Sequence, residues 1–254
     1  MHQPELPLFP TAPVDPMPAA TNDAQSRQHK ALQVHDRLCV AYGCPISYRH
    51  HTLDPMSELV SALLSHRTKN QASGLAFRQL RDRYPTWEAV RDAPVQAVQE
   101  AIAPCTYPEL KAPRLQHILH LLTERLNGHL SLDFLGDLSV PEARAWLESL
   151  PGVGPKTSAA VISFSTLRGA ALPVDSHHHR VAIRLGLIPT NTAVGPAHAL
   201  LAAQLPPQWT AQQVYDNHQV LMRHGQQCCY YRQPACDRCP VLELCAFGQQ
   251  RCGS

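Results

Sequence analysis

From Gln25 onward, apolar residues recur at the three- and four-residue spacing of amphipathic helices. Leu32, Val34, Leu38, Val40 and Ala41 give one apolar face before Gly43 supplies a stop, and Met56, Leu59, Val60, Leu63 and Leu64 give another that ends near His66. The pattern predicts further helices over 70–84, 86–93, 95–103, 112–127, 140–149, 155–169, 178–187, 195–204 and 211–224. Only turns lie between them, and Pro85, Pro94, Pro104, Pro113, Pro151 and Pro173 sit at the joints. Strand-like alternation is scarce, so the predicted fold class is all-α. Residues 1–24 are rich in proline and small residues with no sustained period, and are predicted to be a disordered arm. The stretch from Pro45 to His51 reads as a linker.

With 254 residues and 44% apolar content, the chain can bury a core sufficient for one domain or two closely joined lobes. Its 22 Lys and Arg against 20 Asp and Glu leave a net charge of only +2. That excludes a uniformly basic coat, so any nucleic-acid site must be organised locally. Lysine occurs only at positions 30, 69, 111 and 156, which makes a lysine inside a motif conspicuous. No apolar run approaches the length of a bilayer, and the N-terminus lacks the layout of a signal peptide; a cytoplasmic protein without a membrane partner is expected. Nine cysteines in a reducing compartment argue against a disulfide framework, and the five between Cys228 and Cys245 suggest a metal centre. Cys39, Cys44, Cys105 and Cys252 belong to no motif and are expected to be ordinary thiols.

The stretch Leu150-Pro-Gly-Val-Gly-Pro-Lys-Thr157 lies between two predicted helices. Gly152 and Gly154 allow a tight turn and close approach of a ligand, and Pro155 suits the first helical position. The free amides of that first turn then form an anion site that fits a DNA phosphate. Lys156 is either a phosphate-binding residue there or an amine nucleophile. Nineteen residues later, in Val174-Asp-Ser-His-His-His-Arg-Val181, Asp175 suits the N-cap of the next helix. It is either a cap alone or an anion placed against a developing positive charge. A three-histidine metal site at 177–179 is disfavoured, because consecutive helical residues point about 100° apart; His178 and His179 are expected on the phosphate side or the surface. Cys229, Cys236, Cys239 and Cys245 follow the spacing C-x6-C-x2-C-x5-C. Four closely spaced thiolates suit an iron–sulfur cluster, whereas zinc favours two short-spaced pairs and finds only Cys236 and Cys239 so arranged.

Together these motifs resemble the endonuclease III family, over about residues 28–248. The hairpin matches its helix–hairpin–helix, the Asp175 segment its Val-Asp-Thr-His segment, and the cysteine spacing its C-terminal [4Fe–4S] loop. The resemblance implies two helical lobes: a bundle over 55–165 carrying the hairpin, and a cluster lobe built from 25–54 and 166–254. DNA is expected between them. It further implies Lys156 and Asp175 as catalytic residues, Gly152, Gly154, Thr157, Arg67, His177 and Arg180 as DNA contacts, and Cys229, Cys236, Cys239 and Cys245 as cluster ligands, with Cys228 left out. The implied activity is removal of oxidised pyrimidines from damaged double-stranded DNA through a lysine imine, with β-elimination at the abasic site, by a monomer. A monofunctional glycosylase and a non-enzymatic DNA-binding iron–sulfur protein are the alternatives. Two departures bear on the lesion accepted. Leu64-Ser-His-Arg67 stands where the family carries Leu-Ser-x-Gln, and the 103–112 loop offers Thr106 and Tyr107 where the family has an apolar wedge.

Overall fold

The computed structural model describes residues 22–48 and 52–253. Twelve α-helices follow in order: α1 (Asn22–Tyr42), α2 (Pro55–Ser65), α3 (Asn70–Arg83), α4 (Trp87–Asp92), α5 (Val95–Ala101), α6 (Pro108–Arg125), α7 (Val140–Glu148), α8 (Pro155–Phe164), α9 (Ser176–Leu185), α10 (Val194–Ala202), α11 (Ala211–Gln227) and α12 (Ala246–Cys252). Three 3-10 turns accompany them, and there is no strand among the described residues. The fold is all-α.

Local chemistry sets the helix starts. Asp54 caps α2 by accepting from the Ser57 amide, with Pro55 in the first turn. Ser139 with Glu142 and Thr210 with Gln213 form reciprocal capping boxes on α7 and α11. The apolar faces then gather into two cores. One is built from α2 through α8 and ends at Ala171, with Leu59, Leu80, Ile118, Leu119 and Leu147 fully buried. The other joins α1 to everything from Leu172 onward, around Leu38, Val174, Val181 and Val220. Helix α2 packs on α8 in the first, α11 on α1 and α9 in the second, and contacts of α8 with α10 and α11 tie the two together.

Several boundaries differ from the sequence expectation. Asn22, Asp23 and Ala24 belong to α1 rather than to a disordered arm, because Asp23 favours the first turn and pairs with Arg27 one turn later; the rest of that arm, 1–21, lies outside the described residues. Helix α6 starts at Pro108, which takes the N-terminal position, and runs through Pro113. Helix α8 stops at Phe164, where the Gly169 amide reaches back to the Ile162 carbonyl at 2.9 Å and closes a loop. Helix α12 and the 3-10 turns at Cys236–Arg238 and Leu242–Leu244 are too short to leave a periodic signature. Cys39 and Cys44, expected as free thiols, form a disulfide: Gly43, at φ 77°, turns the chain sharply after α1 and brings the two Cα atoms to 4.9 Å.

Candidate active site

The hairpin between α7 and α8 is positioned from behind. Gly152 adopts φ 78°, which a side chain would strain, and a Cβ there would stand 3.4 Å from Arg114 Cδ. Val153 is buried and anchors the turn. Gly154 offers α8 no side-chain cap, unlike the capped N-termini of α2, α7, α9 and α11, and Pro155 takes the first helical position. Thr157 is buried and its hydroxyl pairs with His66 Nε2 at 3.0 Å, fixing the end of α2 against the start of α8. Burial, with Lys156, Lys111 and Arg114 close by, lowers the His66 pKa, which favours a neutral ring. Lys156 itself is half-buried.

Asp175 is held in extended backbone and accepts from the His178 amide at 2.7 Å, capping α9. Two histidines fasten the segment before it. The Val174 amide donates to His198 Nε2 at 3.1 Å, and His218 Nδ1 pairs with the Pro173 carbonyl at 2.8 Å. Burial lowers the pKa of both rings, although the neighbouring Asp175 carboxylate works the other way on His218. His178, expected near a phosphate or the surface, is instead fully buried: it lies on the inner face of α9, and neither ring nitrogen has a hydrogen-bond partner among the described residues. His179 binds the Thr192 carbonyl at 2.8 Å.

Lys156 and Asp175 line one cleft between the two cores, with a volume of about 1150 Å³ counting the space open to solvent. Its wall from the second core is aromatic: Tyr48 stacks on Tyr215 at 4.0 Å, Phe164 meets Tyr215 edge-on at 5.8 Å, and the Arg168 guanidinium covers Tyr48. Glu58, Asn70, His218 and Gln219 add polar groups. Sequence reasoning missed Arg114, His198 and His218 altogether and His66 as the partner of Thr157, since each meets its partner across a gap in the chain that no motif spans.

Arg67 stands exposed at φ 53° just past α2. Its turn is stitched to the loop before α6. Lys111 Nζ donates to the Leu64 carbonyl at 2.6 Å, to the His66 carbonyl at 2.8 Å and to the Thr68 hydroxyl at 2.7 Å, and the Thr106 amide donates to the same hydroxyl at 3.1 Å. Tyr107, also left-handed at φ 58°, and Thr106 are exposed on this second tip.

The other anticipated contacts face the C-terminal loop. Arg180 donates to the Gly225 carbonyl at 2.7 Å and the Cys229 carbonyl at 3.1 Å, and pairs with His177 Nδ1 at 3.1 Å. One turn on, Arg184 holds the Tyr230 and Tyr231 carbonyls at 2.7 and 2.8 Å and the Cys229 thiol at 3.2 Å. Arg184 also lines a cavity of about 340 Å³, counting space open to solvent, with Cys228, Cys229, Cys236, Cys239, Cys245 and His224 around it and Val181, Leu185, Val241 and Phe247 behind them. Four of these five thiols, at Cys229, Cys236, Cys239 and Cys245, in a largely apolar chamber supply the donor set and the setting that an all-cysteine iron–sulfur cluster requires.

Residues 60–207 match the family model described as HhH-GPD superfamily base excision DNA repair protein. Endonuclease III of Thermotoga maritima is 28% identical over 202 residues, covering 80% of this chain and 87% of that protein. Endonuclease III of Bacillus subtilis is 28% identical over 199 residues, covering 78% and 84%. Among solved structures, a non-covalent endonuclease III–DNA complex superposes with a TM-score of 0.73 at 23% identity, over 89% of this chain and 99% of that one. A thermostable thymine-DNA glycosylase gives a TM-score of 0.73 at 20% identity over the same shares.

Proposed function

The chain belongs to the HhH-GPD superfamily of base excision DNA repair proteins and is a DNA glycosylase, and from that premise we propose that it excises oxidised pyrimidines from damaged double-stranded DNA through an imine on Lys156 and then cleaves the abasic strand by β-elimination. The observation that carries this reading is that Lys156 and Asp175 face the same cleft between the cores. The Lys156 amine attacks the sugar C1′ as the base departs, and the Asp175 carboxylate stabilises the positive charge that develops on the sugar. The C1′–O4′ bond then breaks, with O4′ taking a proton and the nitrogen giving one up, to leave a protonated imine. This acidifies C2′, whose proton is lost as the C3′–O bond breaks and the 3′ phosphate leaves.

DNA binding follows from local features rather than net charge. One strand's phosphates sit on the open N-terminus of α8, at Gly152 and Gly154, with Arg114 beside them. Thr157, expected as a contact, is buried with its hydroxyl on His66 and its amide on the Gly154 carbonyl, and supports the turn from behind. His177 and Arg180 approach the backbone on the side of the C-terminal loop. Arg67 and Tyr107, at the two stitched tips, enter the duplex where the base leaves; an exposed aromatic replaces the missing apolar wedge. Cys229, Cys236, Cys239 and Cys245 would hold a [4Fe–4S] cluster, which supplies iron–thiolate bonds that tie the C-terminal loop together. The protein acts as a monomer. No helix among the described residues is long and apolar enough to cross a membrane.

Borohydride trapping tests the reading. Wild-type protein on duplex DNA containing thymine glycol or an abasic site should give a covalent complex and a nicked strand. Lys156→Gln should abolish both while retaining DNA binding. Trapping that survives Lys156→Gln, or a wild type that releases the base and leaves the strand intact, would refute the imine.

A further inference from the structure

Beside the four cysteines assigned to the cluster stands a fifth thiol with no role in that assignment. Cys228 is buried, and its Sγ lies close to two other soft donors, His224 Nε2 and Cys239 Sγ. The three ligand atoms fall within 4.8 Å of one another, and His224 Nε2 stands 3.6 Å from Cys239 Sγ. Donors sharing a single tetrahedral ion at bonds of about 2.0–2.3 Å are separated by about 3.5–4 Å, so these three need only small side-chain shifts to converge. The cluster set is built differently. Each of its thiolates would bind a separate iron, and among the described residues no other three His, Cys, Asp or Glu donors come this close.

His224 is also oriented as a ligand should be. Its Nδ1 pairs with the Tyr42 hydroxyl at 3.1 Å, so Nε2 is the nitrogen that faces the thiols. A metal-binding histidine needs this kind of support on its second nitrogen to fix tautomer and ring angle. The Tyr42 hydroxyl comes from the end of α1, His224 and Cys228 from the end of α11, and Cys239 from the C-terminal loop. An ion bound here would pin three separate segments of the second core.

We propose that His224, Cys228 and Cys239 form a mononuclear site for a zinc-class divalent ion, which shares Cys239 with the cluster and so is occupied only when the cluster is absent. Binding releases the two thiol protons as the two sulfur–metal bonds form, and one tetrahedral position stays open to solvent. The metal-loaded chain is thus a second folded form of the protein, with the C-terminal loop tied to α11 by one ion instead of by four irons.

Cobalt(II) is the probe. Full-length protein stripped of its cluster under anaerobic conditions should take up one cobalt per chain, with the thiolate-to-cobalt charge-transfer band and tetrahedral visible bands expected for two sulfurs and one nitrogen. Its helical circular dichroism should rise in the same proportion as the metal binds. Cys228→Ser should weaken the affinity at least about tenfold, and His224→Gln likewise; Cys236→Ser should leave both spectrum and affinity as in the wild type. Cluster-loaded protein should take up none. Binding unchanged by Cys228→Ser, an equal loss with Cys236→Ser, cobalt uptake with the cluster still in place, or a stripped chain that neither binds nor gains helix would each overturn the site.

Discussion

Asp175 caps a helix and faces the cleft with the same carboxylate, and paired substitutions separate the two jobs. Asp175→Asn keeps an oxygen able to accept from the His178 amide, now at 2.7 Å. Asparagine is as good an N-cap as aspartate, so stability should move by only a few tenths of a kcal/mol. Asp175→Ala removes the cap, which costs about 1 kcal/mol, and a chain of this size should then melt about 2–4 °C lower. Catalysis should not follow stability. Both variants remove the charge that faces the sugar, so both should lose about 10²–10³ in single-turnover base release, equivalent to roughly 3–4 kcal/mol of transition-state stabilisation. The assays are thermal unfolding by circular dichroism and single-turnover excision from a thymine glycol duplex. Full activity in Asp175→Asn would show that the residue is only a cap. A large fall in melting temperature with Asp175→Asn would show that the charge serves the fold, and the catalytic argument would lose its ground.

Two further outcomes follow from the packing around the site. A Cβ at Gly225 would lie 2.8 Å from His177 Cβ and 3.1 Å from its carbonyl oxygen, so Gly225→Ala should force α9 from α11 and cost about 1–3 kcal/mol in chemical denaturation; an unchanged midpoint would show that the crossing can relax. His178 is buried with both ring nitrogens unpaired, and burial pushes its pKa well below the usual value. The unfolded ring therefore gains a proton below about pH 6.5 where the folded ring does not, and folding stability falls as pH falls through that value. His178→Leu should flatten this acid limb and raise stability at neutral pH by about 1 kcal/mol, since an unsatisfied buried group costs about 1–3 kcal/mol. A steeper acid limb in the variant would contradict the burial argument.

Much of the site was legible because its chemistry is written in short stretches. The glycines of the hairpin declare a tight turn, Asp175 stands where a cap belongs, and the cysteine spacing marks a metal loop, each from residues within a few positions of one another. Helix type was legible for the same reason, since apolar periodicity is a local signal. Helix ends were less so: Pro113 read as a joint before a helix over 112–127, yet it is tolerated inside α6, which starts earlier at Pro108. The Cys39–Cys44 pair escaped because cysteine counting judges the compartment, whereas a bond depends on two Cα atoms meeting at a turn. Only the tertiary structure decided that Lys156 and Asp175 share a cleft, that His66 braces Thr157 from 91 positions away, and that His198 and His218 hold the backbone before Asp175. Helical periodicity records which face of a helix is apolar, but not which distant face it meets. That choice is made when the two cores close, and it is then that the cleft and the side chains that support it come together.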